Sequence, residues 1–322
     1  MIAFLFPGQG AQQVGMGQAL TNAFPEARAT FEEADAAFGA GGIGAESGHP
    51  TSLTTLCFEG PEDQLRLTEY TQPAILTVSI AAARVLASRG IQPDFVAGHS
   101  LGEYSANVVA GTFTFADAVA TVRLRGRYMQ EAVPVGQGAM AAILGLDVAA
   151  VRLACEDAAQ GEVVSPANIN SHDQIVIAGS AAAVERAGVL AKARGARRVM
   201  PLPVSAPFHC ALMKPAEERL APVLRSLVIR DPRVPVAANV DAQPKRDGGE
   251  AIEALVRQVS CPVRWEDIVR RLASEGVTTY VEVGVGRVLS GLVRKIQKDA
   301  KIVAFGSPDD LSAVEQALGS TT

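Results

Sequence analysis

The chain is poor in cysteine, and none of its thiols is placed to pair. Cys57, Cys155, Cys210 and Cys261 are widely scattered with no Cys-x-x-Cys spacing, which argues against a zinc site or a disulfide frame and for reduced thiols in a cytoplasmic protein. Long apolar runs are also missing. The most apolar stretch, near Pro73 to Ala87, is interrupted by Arg84 and is too short to span a bilayer. The apolar start, Met1 to Phe6, lacks the basic segment of a signal peptide and is stopped by Pro7-Gly8, so it reads as a buried first strand. An excess of basic charge is absent as well. A net charge of −5 excludes wholesale binding to nucleic acid or to an anionic membrane. Phosphate-loop motifs fail too: Gly8, Gly10 and Gly15 miss the Gly-x-Gly-x-x-Gly spacing, and no Gly-Lys-Ser/Thr occurs. Histidine is scarce, with 4 in 322 residues, which makes any general base easy to trace.

What is present is a large apolar fraction, 48% of the chain, enough for one large domain and a smaller one. The chain is organised around residues 95 to 110. Phe95 to Ala97 is a short apolar strand, Gly98-His99-Ser100-Leu101-Gly102 follows, and Glu103 to Ala110 can run as a helix. Gly-x-Ser-x-Gly alone is a weak signal, because glycine-flanked serines also fill ordinary turns. Strand, sharp turn and helix around it are the context of a nucleophile elbow. Ser100 would project its hydroxyl at a helix N-terminus, where backbone N–H groups favour developing negative charge.

In chain order, Met1 to Phe6 is a strand and Gly8 to Gln12 a loop that either presents a backbone N–H to a neighbouring site or simply turns the chain. Ala11 to Phe38 is largely helical with a break at Pro25, residues 39–50 form a glycine-rich loop containing His49, and Thr71-Gln72-Pro73 caps a helix over Ala74 to Ser88. A helix from Phe115 to Gln130 carries Arg123, Arg125 and Arg127. Arg123 and Arg127 read as a solvated face. Gly126, which costs about 1 kcal/mol inside a helix, suggests a close backbone approach or a kink that turns Arg125 inward. From Ala139 to Val204 the pattern is β-α-β-β-α-β, with a hairpin around Ser171-His172-Asp173, the order of a ferredoxin-like unit inserted into the larger domain. Beyond it come a helix from Leu212 to Leu227, a strand from Val234 to Val240, a helix from Ile252 to Val259, and strands over Thr279 to Val283 and Ala300 to Phe305. A serine nucleophile needs a base within hydrogen-bond reach. His49 lies in a loop, His172 at a hairpin tip, and His99 beside the serine points away from it and suits a buried, hydrogen-bonded role. His209, held by Pro203 and Pro207 where the chain re-enters the main domain, is the best candidate.

The runs Gly8-Gln9-Gly10-Ala11-Gln12, Thr71-Gln72-Pro73-Ala74, Gly98 to Tyr104, Arg125-Gly126, Asn168-Ile169-Asn170, Ala206-Pro207-Phe208-His209 and Glu282-Val283-Gly284 are collinear over almost the whole chain. Together they resemble the malonyl-CoA:acyl-carrier-protein transacylases. The resemblance implies an α/β hydrolase-like core with a parallel sheet (residues 1–132 and 205–322) and the inserted ferredoxin-like α+β subdomain (residues 133–204). It implies Ser100 as nucleophile, His209 as base, and Gln258 orienting the histidine with no acidic third member. It further implies backbone N–H groups of Gln9 and Leu101 as the oxyanion hole, and Arg125 gripping the malonyl carboxylate. Phe208 beside the histidine, like Leu101, is of the malonyl rather than the methylmalonyl type, and Asn168 and Gln174 are polar residues near the cleft. The partners it implies are malonyl-CoA and an acidic acyl carrier protein, with no cofactor or metal. Steering groups would be Lys192, Arg194, Arg197 and Arg198 or Arg294, Lys295 and Lys298, all of which also suit plain solvated faces. Chain length favours the fatty-acid pathway over a free-standing polyketide acyltransferase, and a monomer is expected. A serine esterase is the rival reading. It would want an acidic triad member and a His-Gly-Gly-Gly-type oxyanion motif, and it leaves Arg125 without a purpose. A non-catalytic module that only binds the carrier is opposed by the retention of Ser100, His209 and Arg125.

Overall fold

The computed structural model describes residues 1–40, 50, 52–204 and 206–319. His49 and most of the expected glycine-rich loop lie outside the described residues. Ten strands occur in chain order among those described: β1 (Ile2–Phe6), β2 (Phe95–Gly98), β3 (Gly138–Leu144), β4 (Val164–Ser171), β5 (Gln174–Ser180), β6 (Arg198–Pro201), β7 (Val236–Ala237), β8 (Pro244–Lys245), β9 (Thr279–Val283) and β10 (Lys301–Phe305). Six of them form one sheet in the order β10-β9-β1-β2-β7-β8. Its pairs are parallel except the last, β7 with β8. β1 sits inside this sheet, and Ala3 to Phe6 are buried, as the near-continuous apolar run of a doubly covered parallel strand requires.

Register then places the site. Phe6 is opposite Gly98, and the His99 N–H donates to the Phe6 carbonyl at 3.0 Å. The loops that follow β1 and β2 therefore leave the sheet together at the carboxyl ends of the strands, where open α/β sheets bind their ligands.

The other four strands form an antiparallel sheet in the order β4-β5-β3-β6. With the helices Val148–Ala159 and Ala181–Ala193 this is the ferredoxin-like arrangement expected from the sequence. Strand periodicity divides its side chains. β3 sends Ala141 and Ile143 to a small cluster under the two helices and Met140 and Ala142 to the main core. Backbone bonds from Ile169 N–H to Val263 and from Val263 N–H to Ala167, both 2.8 Å, tie β4 to the chain ahead of Trp265.

Several expected boundaries move. The first helical stretch is two helices, Gln18–Ala23 and Pro25–Ala40, preceded by turns. The expected strand at Val234 to Val240 shrinks to Val236–Ala237, and β8, which the pattern does not signal, pairs with it. Pro73 does not cap a helix. It lies inside the helix Thr68–Ser88, in the second turn, where its missing N–H removes a single intrahelical bond. That helix is buried on nearly every side because other helices cover it all round.

The helix Phe115–Glu131 crosses its start. A Cβ on Gly126 would come within 2.5 Å of the Thr68 carbonyl oxygen, so the glycine permits the close approach that sets Arg125 beside Gln72. Gly126→Ala is therefore expected to destabilise the fold by about 1–3 kcal/mol, measured by denaturant unfolding; an unchanged midpoint would contradict the close packing. Arg123, expected on a solvated face, is instead buried. Its Nε pairs with Glu69 at 3.0 Å, Nη1 donates to the Phe38 carbonyl at 3.1 Å, and the guanidinium lies 4.2 Å from the centroid of the Phe38 ring. The reason is that this helix is covered on two sides, by Thr68–Ser88 and by Pro25–Ala40. Among the described residues no helix is long and apolar enough to cross a membrane.

Candidate active site

Ser100 occupies the turn between β2 and the helix Gly102–Ala110 with φ of 53°, a left-handed conformation that non-glycine residues adopt at a cost. The surroundings enforce it. A Cβ on Gly98 would lie 1.9 Å from the Gly102 carbonyl carbon, and one on Gly102 would lie 2.0 Å from the Phe6 oxygen. Strand, turn and helix can meet this closely only with glycine at both positions. Asn239, which follows β7, clamps the turn: its Oδ1 accepts from the Ser100 N–H at 2.8 Å, and its Nδ2 donates to the Gly98 carbonyl at 2.7 Å.

His209 lies after the loop that returns from β6. Its Nδ1 is 2.9 Å from the backbone carbonyl of Gln258. A carbonyl can only accept, so Nδ1 carries the proton and Nε2 is left as an acceptor. The Ser100 hydroxyl is 2.7 Å from that Nε2. Burial, and then the positive charge of Arg125, lower the His209 pKa to about 3, so the ring is neutral at physiological pH.

Arg125 is buried against the Tyr104 ring, 5.4 Å from its centroid. Its Nη1 donates to Gln72 Oε1 at 2.8 Å, and its Nη2 donates to Gln258 Oε1 at 2.8 Å and to Ser100 Oγ at 3.1 Å. All of these acceptors are neutral, and Nε has none. A buried guanidinium without a bonded carboxylate is incompletely compensated, because the interior supplies less solvation than water. The site is thus prepared for an anionic group beside the serine hydroxyl.

The Leu101 N–H, at the start of the helix, and the Gln9 N–H, in the loop after β1, have no acceptor among the described residues. A cavity of about 580 Å³ is lined by Gln9, Ser100, Arg125, Asn168, Phe208 and His209, among others. Asn168 brings a carbonyl oxygen, Oδ1, that is buried without a partner. Gln174 does not reach this cavity. It sits at the β4–β5 hairpin and accepts from Lys295 Nζ at 3.2 Å. His99 borders the cavity but is bonded through Nε2 to Asn170 Oδ1 at 2.8 Å, and burial lowers its pKa. The roles of Gln72, Glu103 and Asn239 are not visible in the sequence. Gln72 and Glu103 lie in quoted motifs, whereas Asn239 gives no local signal, being 139 residues from the Ser100 it binds. Glu282 accepts from the Leu289 and Ser290 N–H groups at 3.0 and 2.7 Å and so caps a helix rather than entering the cavity.

A doubly wound α/β sheet with a serine on a strained elbow and a histidine bonded to it defines the class of acyl-transferring and acyl-hydrolysing serine enzymes. Residues 3–309 match the family described as the acyl transferase domain, and the chain belongs to that family. It is 48% identical to the malonyl CoA-acyl carrier protein transacylase of Bacillus subtilis (strain 168), across 98% of this chain and 97% of that protein. It is 49% identical to the protein of the same name in Escherichia coli (strain K12), across 97% of each. An acyl carrier protein S-malonyltransferase from Vibrio cholerae superposes with a TM-score of 0.92 at 47% identity, covering 97% of this chain and 99% of that one. A malonyl-transacylase solved in complex with its type II polyketide acyl-carrier protein superposes equally well, with a TM-score of 0.92 at 44% identity over 99% of each chain.

Proposed function

We propose that this protein moves a malonyl group from malonyl-CoA to the phosphopantetheine thiol of an acyl carrier protein, through a malonyl ester on Ser100. The observation that carries the substrate is the buried Arg125, bonded only to neutral acceptors and 3.1 Å from the nucleophile. Malonyl thioesters bring a carboxylate that acetyl thioesters lack, and a planar guanidinium meets a carboxylate with parallel bonds.

Ser100 Oγ attacks the thioester carbonyl as its proton passes to His209 Nε2. The oxyanion is received by the Gln9 and Leu101 N–H groups, each such donor being worth roughly 100–1000-fold in rate. The C–S bond breaks, and the imidazolium returns the proton to the departing CoA thiolate. The carrier thiol then gives its proton to His209 and attacks the ester carbonyl; the Oγ–C bond breaks, and the imidazolium returns the proton to the Ser100 oxygen, regenerating serine and neutral histidine. No metal or cofactor enters these steps. Gln258 orients the histidine through its carbonyl, and Phe208 and Asn168 bound the acyl pocket.

Residues 1–132 and 205–322 form one domain and 133–204 the other, with the cavity between them. Met140 and Asn168 on one side and Gln9 and Ser100 on the other support this division, and such a cleft limits water while the ester waits. Lys192, which donates only to the Arg197 carbonyl at 3.2 Å, Arg198, Arg294 and Lys298 have no ion-pair partner among the described residues, so they are the cations of the two basic clusters best able to meet an acidic carrier. By contrast, Arg194 pairs with Asp157, and Arg197 and Lys295 both lie near Asp173. The enzyme acts in the cytoplasm and supplies extender units for fatty acid synthesis. The relative complexed with a polyketide carrier makes that pathway the second reading.

A substituted-enzyme mechanism gives parallel double-reciprocal lines when malonyl-CoA and carrier are both varied; intersecting lines would contradict it. The lowered His209 pKa also fixes the sign of a pH effect. The base is active when neutral, so the acid limb of acylation lies below the ordinary histidine pKa of about 6.5. The single-turnover malonylation rate should stay level from pH 8 to about 5. A fall centred near 6.5 would show that the base is an ordinarily solvated histidine.

A further inference from the structure

The amide of Gln258 is bonded at every corner. Nε2 donates to the Ser100 carbonyl and to Glu103 Oε2, both at 2.8 Å, while Oε1 accepts from Arg125 Nη2 at 2.8 Å. An amide has two orientations, and here only one works. Flipped, its oxygen would face the Ser100 carbonyl and the Glu103 carboxyl, both acceptors, and its NH2 would face the Arg125 donor. Three groups therefore decide the orientation: the Ser100 carbonyl, Glu103 and the Arg125 donor itself. The same Glu103 oxygen accepts from the Asn239 N–H at 3.0 Å, and Asn239 in turn clamps the Ser100 elbow.

Glu103 is almost fully buried and makes no ion pair within 4 Å among the described residues. We propose that Glu103 is a positioning residue for malonyl selectivity: it fixes the Gln258 amide, and that amide holds Arg125 against Ser100. Glu103 touches neither the reacting atoms nor the expected place of the substrate, and acts through Gln258. Its role is that of an acceptor rather than a charge. Burial raises its pKa to about 7, yet Oε2 can accept both bonds whether or not the other oxygen carries a proton. Without Glu103, one of the three bonds that hold the amide is lost and an Nε2 proton is left without its acceptor, so the anchor of Arg125 loosens.

This inference rests on the reading of Arg125 as the carboxylate clamp. It is tested by the ratio of kcat/KM for malonyl-CoA to that for acetyl-CoA, which a loss of folded protein leaves unchanged because both rates scale together. Glu103→Ala should lower the ratio at least fivefold, and Glu103→Gln, whose amide oxygen can accept the same two bonds, should recover most of it. Glu103→Met keeps the volume without the acceptor and gives the same loss should the alanine variant not fold. In a Gln258→Ala background, Glu103→Ala should lower the ratio no further. An unchanged ratio in the alanine and methionine variants, or a full further loss in the Gln258→Ala background, would overturn the positioning role. A wild-type enzyme without malonyl preference would instead overturn the reading of Arg125 on which it stands.

Discussion

In a Ser100→Ala variant, malonyl transfer to carrier protein is expected to fall by a factor on the order of 10⁴ or more, with no acyl-enzyme formed, since loss of a serine nucleophile of this kind removes a unit-acting dyad. The substitution deletes one oxygen and leaves the cavity otherwise intact. Arg125 keeps Gln72 and Gln258 as partners, and the Leu101 and Gln9 N–H groups are unaltered. Malonyl-CoA should therefore still bind, within a few-fold of the wild-type affinity by calorimetry. Alanine must adopt the same left-handed φ as Ser100, so backbone strain is similar in the two proteins. Transfer surviving at wild-type rate would move the nucleophile elsewhere, whereas loss of binding together with rate would mean that the elbow had collapsed.

Arg125→Ala carries the second large effect. Each charge-assisted bond from the guanidinium to the malonyl carboxylate contributes about 1.5–3 kcal/mol, so losing two should lower kcat/KM for malonyl-CoA by roughly 100-fold to 10⁴-fold. Acetyl-CoA makes neither bond, and its kcat/KM should change far less. Competition between the two thioesters on one enzyme sample reads the ratio directly, free of errors in active-site concentration. Truncation also leaves the Gln72 and Gln258 amide oxygens without their cation, so a modest general loss in both rates accompanies the selectivity change. Equal losses for malonyl and acetyl groups would remove the carboxylate clamp from the account.

Much of this site was legible because the nucleophile elbow is local. Gly98, Ser100 and Gly102 lie within five residues, and their spacing alone implies the collision that the fold shows at Gly98 and Gly102. The ferredoxin-like insert was legible for the same reason: its strands follow one another with short connections. His209 was found by elimination among few histidines, and Gly126 marked a close helix approach. What failed to show was tertiary. Arg123 resembles Arg127 in sequence, yet one is buried on Glu69 and Phe38 while the other stays half-exposed, because the second covering helix comes from residues 25–40. Pro73 looked like a helix start because proline usually is one; here the helix begins at Thr68, and the neighbouring helices that bury it outweigh one missing bond. Gln174 belongs to the hairpin tip, where strand register rather than residue type decides its neighbours. Asn239 and Glu103 gain their meaning from contacts across more than a hundred residues of chain, which no local pattern encodes.

The central claim is a malonyl ester on Ser100 that waits for a second thiol. Intact-protein mass spectrometry, after mixing with malonyl-CoA and then with carrier protein bearing its phosphopantetheine arm, tests it most directly. One malonyl adduct, mapped to Ser100, is expected to persist in buffer and to disappear when the carrier arrives. An adduct that decays equally fast without carrier would make the protein a hydrolase, and an adduct on any other residue would contradict the assignment of the nucleophile.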